Sequence, residues 1–469
     1  MVELLAHLES LKSVNWLTGI DSQQLKQFTW EYYLQLTTYL KELNPPKILL
    51  AESESVRFLA GFIAACTMGF PVFICNPYWQ EEEWKQVLKL IQPDIIWAST
   101  EILNLSYKKI GNNKENITNQ IMIPTGGSSG RIKFTIHTWE TLMASVRGFK
   151  TYFNLNQVNS FCILPIYHIS GLMQFIRSLM TRGQFTITSF GELSSGHINN
   201  LDTTEFCLSL VPTQLHILLQ KSTSTNWLSK FKIVFLGGAP AWDELLKTAR
   251  YNQIRLAPTY GMTETASQIA TLKPDDFLDG KTNDGQVLPH ARVIICDDLG
   301  NQLGTNRTGN IHIISKSLCL GYYANPSNRC SLTVDDLGFF DEQGYLHVVG
   351  RNSNKIITGG ENVYPREIES LIFKTHLVVD ICVIGISDKY WGQAVTAFYV
   401  PGKNVQDHTQ ILLALKDKIS KYKIPKYWII IDNIPRNEKG KINYRIMEEI
   451  ALNTISKFDY KKGDITIGE

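Results

Sequence analysis

Short apolar runs punctuate the first half of the chain: PKILLAE, PVFICN, DIIWAST, SFCILPIYH, FCLSLVP and KIVFLGG. Stretches of helical spacing lie between many of them. Strands alternating with helices predict stacked βαβ units built on parallel sheets. One uncharged stretch, FLAGFIAACTMGFPVFIC from Phe58 to Cys75, runs for 18 residues, the lower limit for a membrane span. Gly69, Phe70 and Pro71 divide it into a helical half and a β-rich half, so it reads as a buried helix followed by a buried strand. No integral membrane association is expected.

Beyond about residue 285 the pattern shortens to ARVIICDD, GNIHIIS and GYLHVVG, separated by turns, which suits a small barrel or an antiparallel sheet. A further boundary falls near GRNSNKIITGG. The chain beyond it reads as a compact α+β unit. Pro365 can open a helix whose apolar face is Ile368, Leu371 and Ile372. Strands DICVIGI and AVTAFYV, a helix around QILLALKDKISKY and a strand YWIIID come after it.

Composition adds limits. The 469 residues suffice for several large cores, and 44% hydrophobic with 19% charged residues describe a folded globular chain. A net charge of +2 argues against a nucleic-acid binder. The start, MVELLAHLESLK, is acidic where a signal peptide is basic. The eight cysteines contain no Cys-x-x-Cys pair and sit mostly among apolar neighbours. They read as buried thiols of a reducing cytoplasm.

The chemistry gathers in ordered motifs. PTGGSSGRIKF, 124 to 134, packs glycines, hydroxyls and a lysine into one segment that can cradle phosphate or serve as an ordinary turn. It is neither a Walker A loop nor a dinucleotide-binding fingerprint. LPIYHISG, LGGAP, TYGMTET, VDDLGFFDEQGYLHVVGR, TGGENVYPREIE and PRNEKGKI come after it in that order.

This series resembles the adenylate-forming superfamily of acyl- and aryl-CoA ligases, from about residue 50 to 450. Within it, IPTGGSSG, SLVPTQLHILL, YGMTETASQIATL and GGENVYP are most similar to the 2-succinylbenzoate–CoA ligase family of menaquinone and phylloquinone biosynthesis. The resemblance implies an α/β fold: a large N-terminal domain of stacked parallel-sheet subdomains with a small β-barrel, over residues 1–350. A hinge at 351–353 and a mobile α+β C-terminal domain at 354–469 complete it. It implies adenylation of a carboxylic acid by ATP with Mg²⁺, then transfer of the acyl group to CoA, the partners being small molecules only.

Residue by residue, the resemblance places Thr125, Ser128, Ser129, Lys133 and Thr135 around the β/γ-phosphates. Thr263 goes at the α-phosphate and Glu264 on magnesium. Gly238, Ala239 and Tyr260 line the adenine, Asp336 takes the ribose hydroxyls, and Arg351 makes a second ribose or phosphate contact. Lys441 is the mobile lysine of adenylation, and His168 gates the channel to the thiol. Ser353 stands where the family's hinge carries Asp or Lys, and Phe134 where many members carry glycine. Ser170 and Arg177 are candidate partners for a second carboxylate on the acid, since a buried anion needs a matched donor. Another aryl- or fatty-acyl-CoA ligase, or an inactive homologue that only binds nucleotide, stands as the alternative.

Overall fold

The computed structural model describes the chain except residues 1–3, 6, 9–10, 12–15, 41–44, 100–101, 103–117, 127–131, 196–200, 242, 327–329, 359–360, 389–390, 404, 406, 417, 420, 437–439, 441 and 460–469. The six apolar runs of the first half all form strands, each parallel to its neighbours. They divide between two sheets. In the eight-stranded sheet, Leu17–Thr18, Phe185–Ile187, Asn159–Cys162, Phe206–Leu210, Ile233–Leu236 and Leu256–Met262 lie parallel in that order. Ser267–Thr271 and Gln286–Val287 continue it in antiparallel sense.

The seven-stranded sheet runs Asn325–Pro326, Gly321–Tyr322, Ile132–His137, Ile121–Gly126, Val72–Ile74, Ile48–Ala51 and Ile95–Ala98. Between the sheets lie the helices Ser55–Met68, Trp139–Phe153 and Ile169–Thr181. One core joins Leu50 and Val72 of the second sheet to Phe62, Leu142 and Phe175 of these helices and Phe185 of the first sheet. The uncharged stretch resolves as expected: the helix Ser55–Met68 ends at Gly69 and the chain enters the strand Val72–Ile74. No helix among the described residues is long and apolar enough to cross a membrane.

The short runs after residue 285 form a four-stranded antiparallel sheet, Ala291–Cys296, Gly309–Ser315, Ser331–Phe340 and Leu346–Arg351, around Val293, Ile295, Ile311 and Ile313. A 3₁₀ turn, Asn352–Asn354, succeeds it. The last sheet joins Glu361–Val363, Ile356–Thr358, Gly392–Pro401 and Val378–Asp388, with Tyr427–Ile430 paired parallel to Gly392–Pro401. Pro365 opens the helix Pro365–Phe373, and Ile368 and Ile372 are buried beneath it. The helix expected around QILLALKDKISKY spans only Thr409–Leu415, because Lys416 leaves the helical region at ψ 133°.

Among the described residues, no hydrophobic cluster mixes side chains from before and after Arg351. Polar contacts cross that point. Arg366 Nη1 donates to the Val348 carbonyl at 2.5 Å, Lys374 Nζ lies 3.1 Å from Asp243, and His376 lies 4.0 Å from Glu244.

Within the last unit, the Glu369 carboxylate accepts from the Val383 amide at 2.8 Å. Burial pushes its pKa up from 4.5 to about 7. A carboxyl raised in the native state favours folding below its ordinary pKa, and that contribution is lost as pH rises through the native value. Glu369→Gln keeps the acceptor and removes the titration. In denaturant unfolding we expect it to match the wild type near pH 4.5 and to exceed it by on the order of 1–2 kcal/mol above pH 7.

Candidate active site

The C-terminal ends of parallel strands are where open α/β sheets bind ligands, and the predicted residues gather there. The strand Ile233–Leu236 ends in Gly237-Gly238-Ala239, beside Thr259 of the neighbouring strand. That neighbour, Leu256–Met262, turns through Thr263–Thr265 and returns as Ser267–Thr271. The turn is tight. A Cβ on Gly261 would come within 2.3 Å of the Ser267 carbonyl, a backbone atom that cannot yield. Ala266 and Ser267 adopt φ of +52° and +99°, a cost that the surrounding structure must offset. Part of the offset is visible: Thr265 Oγ1 lies 3.1 Å from the Met262 amide and 2.6 Å from the Ser267 carbonyl.

This turn collects the site. Ahead of it, the Tyr260 hydroxyl donates to Asp336 Oδ2 at 2.7 Å. Arg351, paired with Asp336 across two strands, brings Nε to 3.4 Å from Oδ1. Asp336 is 16% exposed and Arg351 54%, so the carboxylate is held from the inside and faced by a cation from outside. Burial, and then the Asp336 charge, raise the Tyr260 pKa, so the phenol stays a donor. Asp335 alternates to the exposed face of the strand.

At the turn itself, the Thr263 carbonyl accepts from His137 Nε2 at 2.8 Å. A carbonyl only accepts, so Nε2 carries the proton and Nδ1, 3.0 Å from the Thr141 hydroxyl, accepts in turn. Burial pushes the His137 pKa down to about 4, keeping the ring neutral. Glu264 Oε1 accepts from the Tyr322 hydroxyl at 2.9 Å, and Lys133 Nζ stands 5.5 Å from the centre of the Tyr322 ring. Neither His137 nor Tyr322 is visible as a site residue in the sequence. Each lies far along the chain from the residue it holds.

The opening motif is the end of a β-hairpin, Ile121–Gly126 with Ile132–His137, in which Thr125 pairs with Lys133. Ser128 and Ser129 lie outside the described residues. Thr135 departs from expectation. It is fully buried between two strands and its hydroxyl donates to the Ile123 carbonyl at 3.0 Å, so its side chain serves the hairpin and faces no phosphate. Phe134 is fully buried, edge-on to Phe73 at 5.4 Å, which makes it a core residue of this sheet.

His168 is the N-cap residue of the helix Ile169–Thr181, with its ring 4.7 Å from that of Tyr167. Ser170 is exposed on the first turn. Arg177 lies two turns further in, roughly 10 Å along the axis, so the helix does not bring these two side chains together. Arg177 is 3% exposed. Its guanidinium lies 4.1 Å from the centre of the Phe149 ring, and Nη2 donates to Ser267 Oγ at 3.2 Å. Its Nε has no hydrogen-bond partner among the described residues. Burial lowers its pKa to about 10, so it remains charged.

Lys441 lies outside the described residues, but its neighbours do not. Arg436 donates to both oxygens of Asp380 at 3.0 Å and to the Gly440 carbonyl at 3.3 Å, and it bridges to Ile442. A Cβ on Gly440 would stand 3.0 Å from Thr213 Oγ1, at the start of the helix Pro212–Leu219. Val211, which precedes that helix, approaches Gly238 as closely.

Comparison with known proteins gives the family. Residues 112–323 match the AMP-binding enzyme family, and residues 367–441 the C-terminal domain of that family. A 2-succinylbenzoate–CoA ligase of Listeria monocytogenes is 34% identical over 339 residues, 69% of this chain and 68% of that protein. Its counterpart in Bacillus cytotoxicus is 28% identical over 437 residues, covering 88% and 90%. Among solved structures, ATP-bound MatB of Rhodopseudomonas palustris superimposes with a TM-score of 0.80 at 22% identity, over 97% and 99% of the two chains. The o-succinylbenzoate CoA synthetase of Bacillus subtilis, bound to the acyl-adenylate, gives 0.77 at 23% identity over 99% of both.

The His137 bond yields a test of stability. An unfolded histidine takes up its proton near 6.5 and the native one near 4, so stability falls as pH drops from 6.5 towards 4. We expect that loss to amount to on the order of 2–3 kcal/mol in the wild type and to vanish from the pH profile of His137→Gln.

Proposed function

Because this chain belongs to the family of AMP-binding enzymes, we propose that it adenylates 2-succinylbenzoate with ATP and passes the acyl group to CoA, releasing AMP and pyrophosphate. The observation that carries the choice of acid is Arg177. A buried guanidinium without a carboxylate partner is costly unless a ligand supplies the anion. Adenylation consumes the chain carboxylate of succinylbenzoate and leaves its ring carboxylate to be held. An apolar tunnel for fatty acids gains nothing from such a cation.

Each residue has its part. Gly238, Ala239 and Tyr260 receive the adenine, and Asp336, steadied by Tyr260 and Arg351, accepts the ribose hydroxyls. Thr125, Lys133 and Thr263, with Ser128 and Ser129, provide donors and charge for the phosphates. Glu264 suits Mg²⁺, a hard ion that takes one or two carboxylates together with phosphate oxygens. Tyr322 engages Oε1 of Glu264 and orients the carboxylate. When bound, the ion offsets phosphate charge as the carboxylate of the acid approaches. Lys441 serves the α-phosphate, and its neighbour Gly440, whose carbonyl Arg436 holds, lies against the start of the Pro212–Leu219 helix. His168, at the head of the Arg177 helix, stands between the acid and the entry of the thiol.

The polar contacts across Arg351 support a division into residues 1–350, a hinge at 351–353 and a mobile unit at 354–469. A cytoplasmic setting suits thiols such as Cys66, Cys75 and Cys162, whose pKa values burial raises.

ATP–pyrophosphate exchange tests the reading. Exchange should depend on 2-succinylbenzoate and be weaker with 3-benzoylpropionate, which lacks the ring carboxylate. Arg177→Ala should remove most of that preference while the KM for ATP stays near the wild-type value. A wild type that prefers benzoates or fatty acids would overturn the choice of substrate and leave the adenylation chemistry standing. For Lys441→Ala we expect adenylation to fall by roughly 10²–10³-fold or more. Thioester formation from pre-made acyl-adenylate should persist, and equal loss of both half-reactions would remove the lysine from this role.

A further inference from the structure

The helices Trp139–Phe153 and Ile169–Thr181 pack around a polar seam. Ser145 Oγ, Gln174 Oε1, Arg177 Nε, Ser178 Oγ and both ring nitrogens of His290 are buried there or beside it, without hydrogen-bond partners among the described residues. Buried polar atoms are nearly always satisfied, so several unsatisfied ones on packed helices beside a buried cation call for a polar partner.

His290 enters this seam from outside both helices, between the strands Gln286–Val287 and Ala291–Cys296. Its ring lies on the backbone of the first helix: a Cβ added to Gly148 would come within 1.9 Å of Nδ1. Phe149, the next residue, carries the Arg177 guanidinium on its ring. His290 is therefore seated by a glycine beside the arginine. Its main chain is fixed as well, since the His290 carbonyl accepts from Ser315 Oγ at 3.0 Å. Burial first, and the Arg177 charge second, lower its pKa to about 4, so the ring is neutral.

We propose that His290 is a specificity-determining residue of the acyl-acid site, donating an N–H beside Arg177 to the non-reacting carboxylate of an aromatic dicarboxylic acid. This role rests on the function proposed above and adds a residue to it. Charge and lone pairs set the requirement. A carboxylate offers about four acceptor positions, and one guanidinium edge fills two. A neutral imidazole adds a donor without adding charge, so one cation meets one anion. A second cation would leave an excess charge in a desolvated place, which is the costlier arrangement.

The test compares 2-succinylbenzoate with 3-benzoylpropionate in the full-length enzyme, by pyrophosphate release, for wild type, His290→Ala, His290→Gln, Gly148→Ala and Arg177→Ala. We expect His290→Ala to lower the kcat/KM preference for succinylbenzoate about tenfold, through KM. His290→Gln, which keeps an amide donor, should recover most of it. Gly148→Ala should behave like His290→Ala, because the new methyl displaces the ring. Should His290→Ala melt early, the glutamine variant and Gly148→Ala carry the comparison. Equal loss with both acids in His290→Ala, or a preference abolished in Arg177→Ala and intact in His290→Ala, overturns the role of His290 alone. A wild type without preference between the two acids overturns the substrate reading, and the inference with it.

Discussion

The hydrogen bond from His137 to the Thr263 carbonyl joins the two halves of the site. His137 ends the hairpin that brings Thr125 and Lys133, while Thr263 begins the turn that presents Glu264. His137 belongs to one sheet and Thr263 to the turn between two strands of the other, so this bond fixes the hairpin that carries Thr125 and Lys133 against the turn that carries Glu264. The neutral state of the ring is part of the constraint. A protonated imidazole still donates from Nε2 but loses the acceptor at Nδ1 that Thr141 uses. Tyr322 makes a second tie of the same kind, between the Gly321–Tyr322 strand of one sheet and Glu264 of the other.

Charge placement obeys a consistent rule across the site. Where a carboxylate is needed, as at Asp336 and Glu264, a tyrosine hydroxyl holds one oxygen. Where a cation is buried, at Arg177, an aromatic face and a serine hydroxyl receive it, and no acid among the described residues pairs with it. The first arrangement orients an acceptor. The second keeps a charge out of water, where desolvation makes it costly. The backbone strain at Ala266 and Ser267 lies between these two arrangements, and the Arg177 bond to Ser267 helps hold it.

The parallel strands were legible because their runs are apolar on both faces, as strands covered by helices must be. The flanking hairpin was not. Its strands carry Pro, Gly, Thr and Lys beside a Gly/Ser run, a composition that in sequence signals a turn, and pairing with Val72–Ile74 on one side and Tyr322 on the other makes them part of a sheet. The same blindness misplaced Thr135, which looks like one more hydroxyl of the loop and is a fully buried strand residue. Arg177 was legible as a donor fork on the helix after His168, and Asp336 through the family resemblance of its motif. His137, Tyr322 and His290 could not be read, since each acts on a partner far away in sequence. No local pattern encodes such a distance.

The seam across Arg351 has a thermodynamic meaning of its own. Among the described residues, apolar clusters stop on either side of it, and the polar contacts across it include the bond from Arg366, the Lys374–Asp243 ion pair and the approach of His376 to Glu244, more than half exposed on the basic side. Exposed pairs of this kind contribute about 0–1 kcal/mol each and weaken with salt. The contacts that bind one side of Arg351 to the other thus answer to ionic strength, whereas the apolar cores on either side answer to water alone.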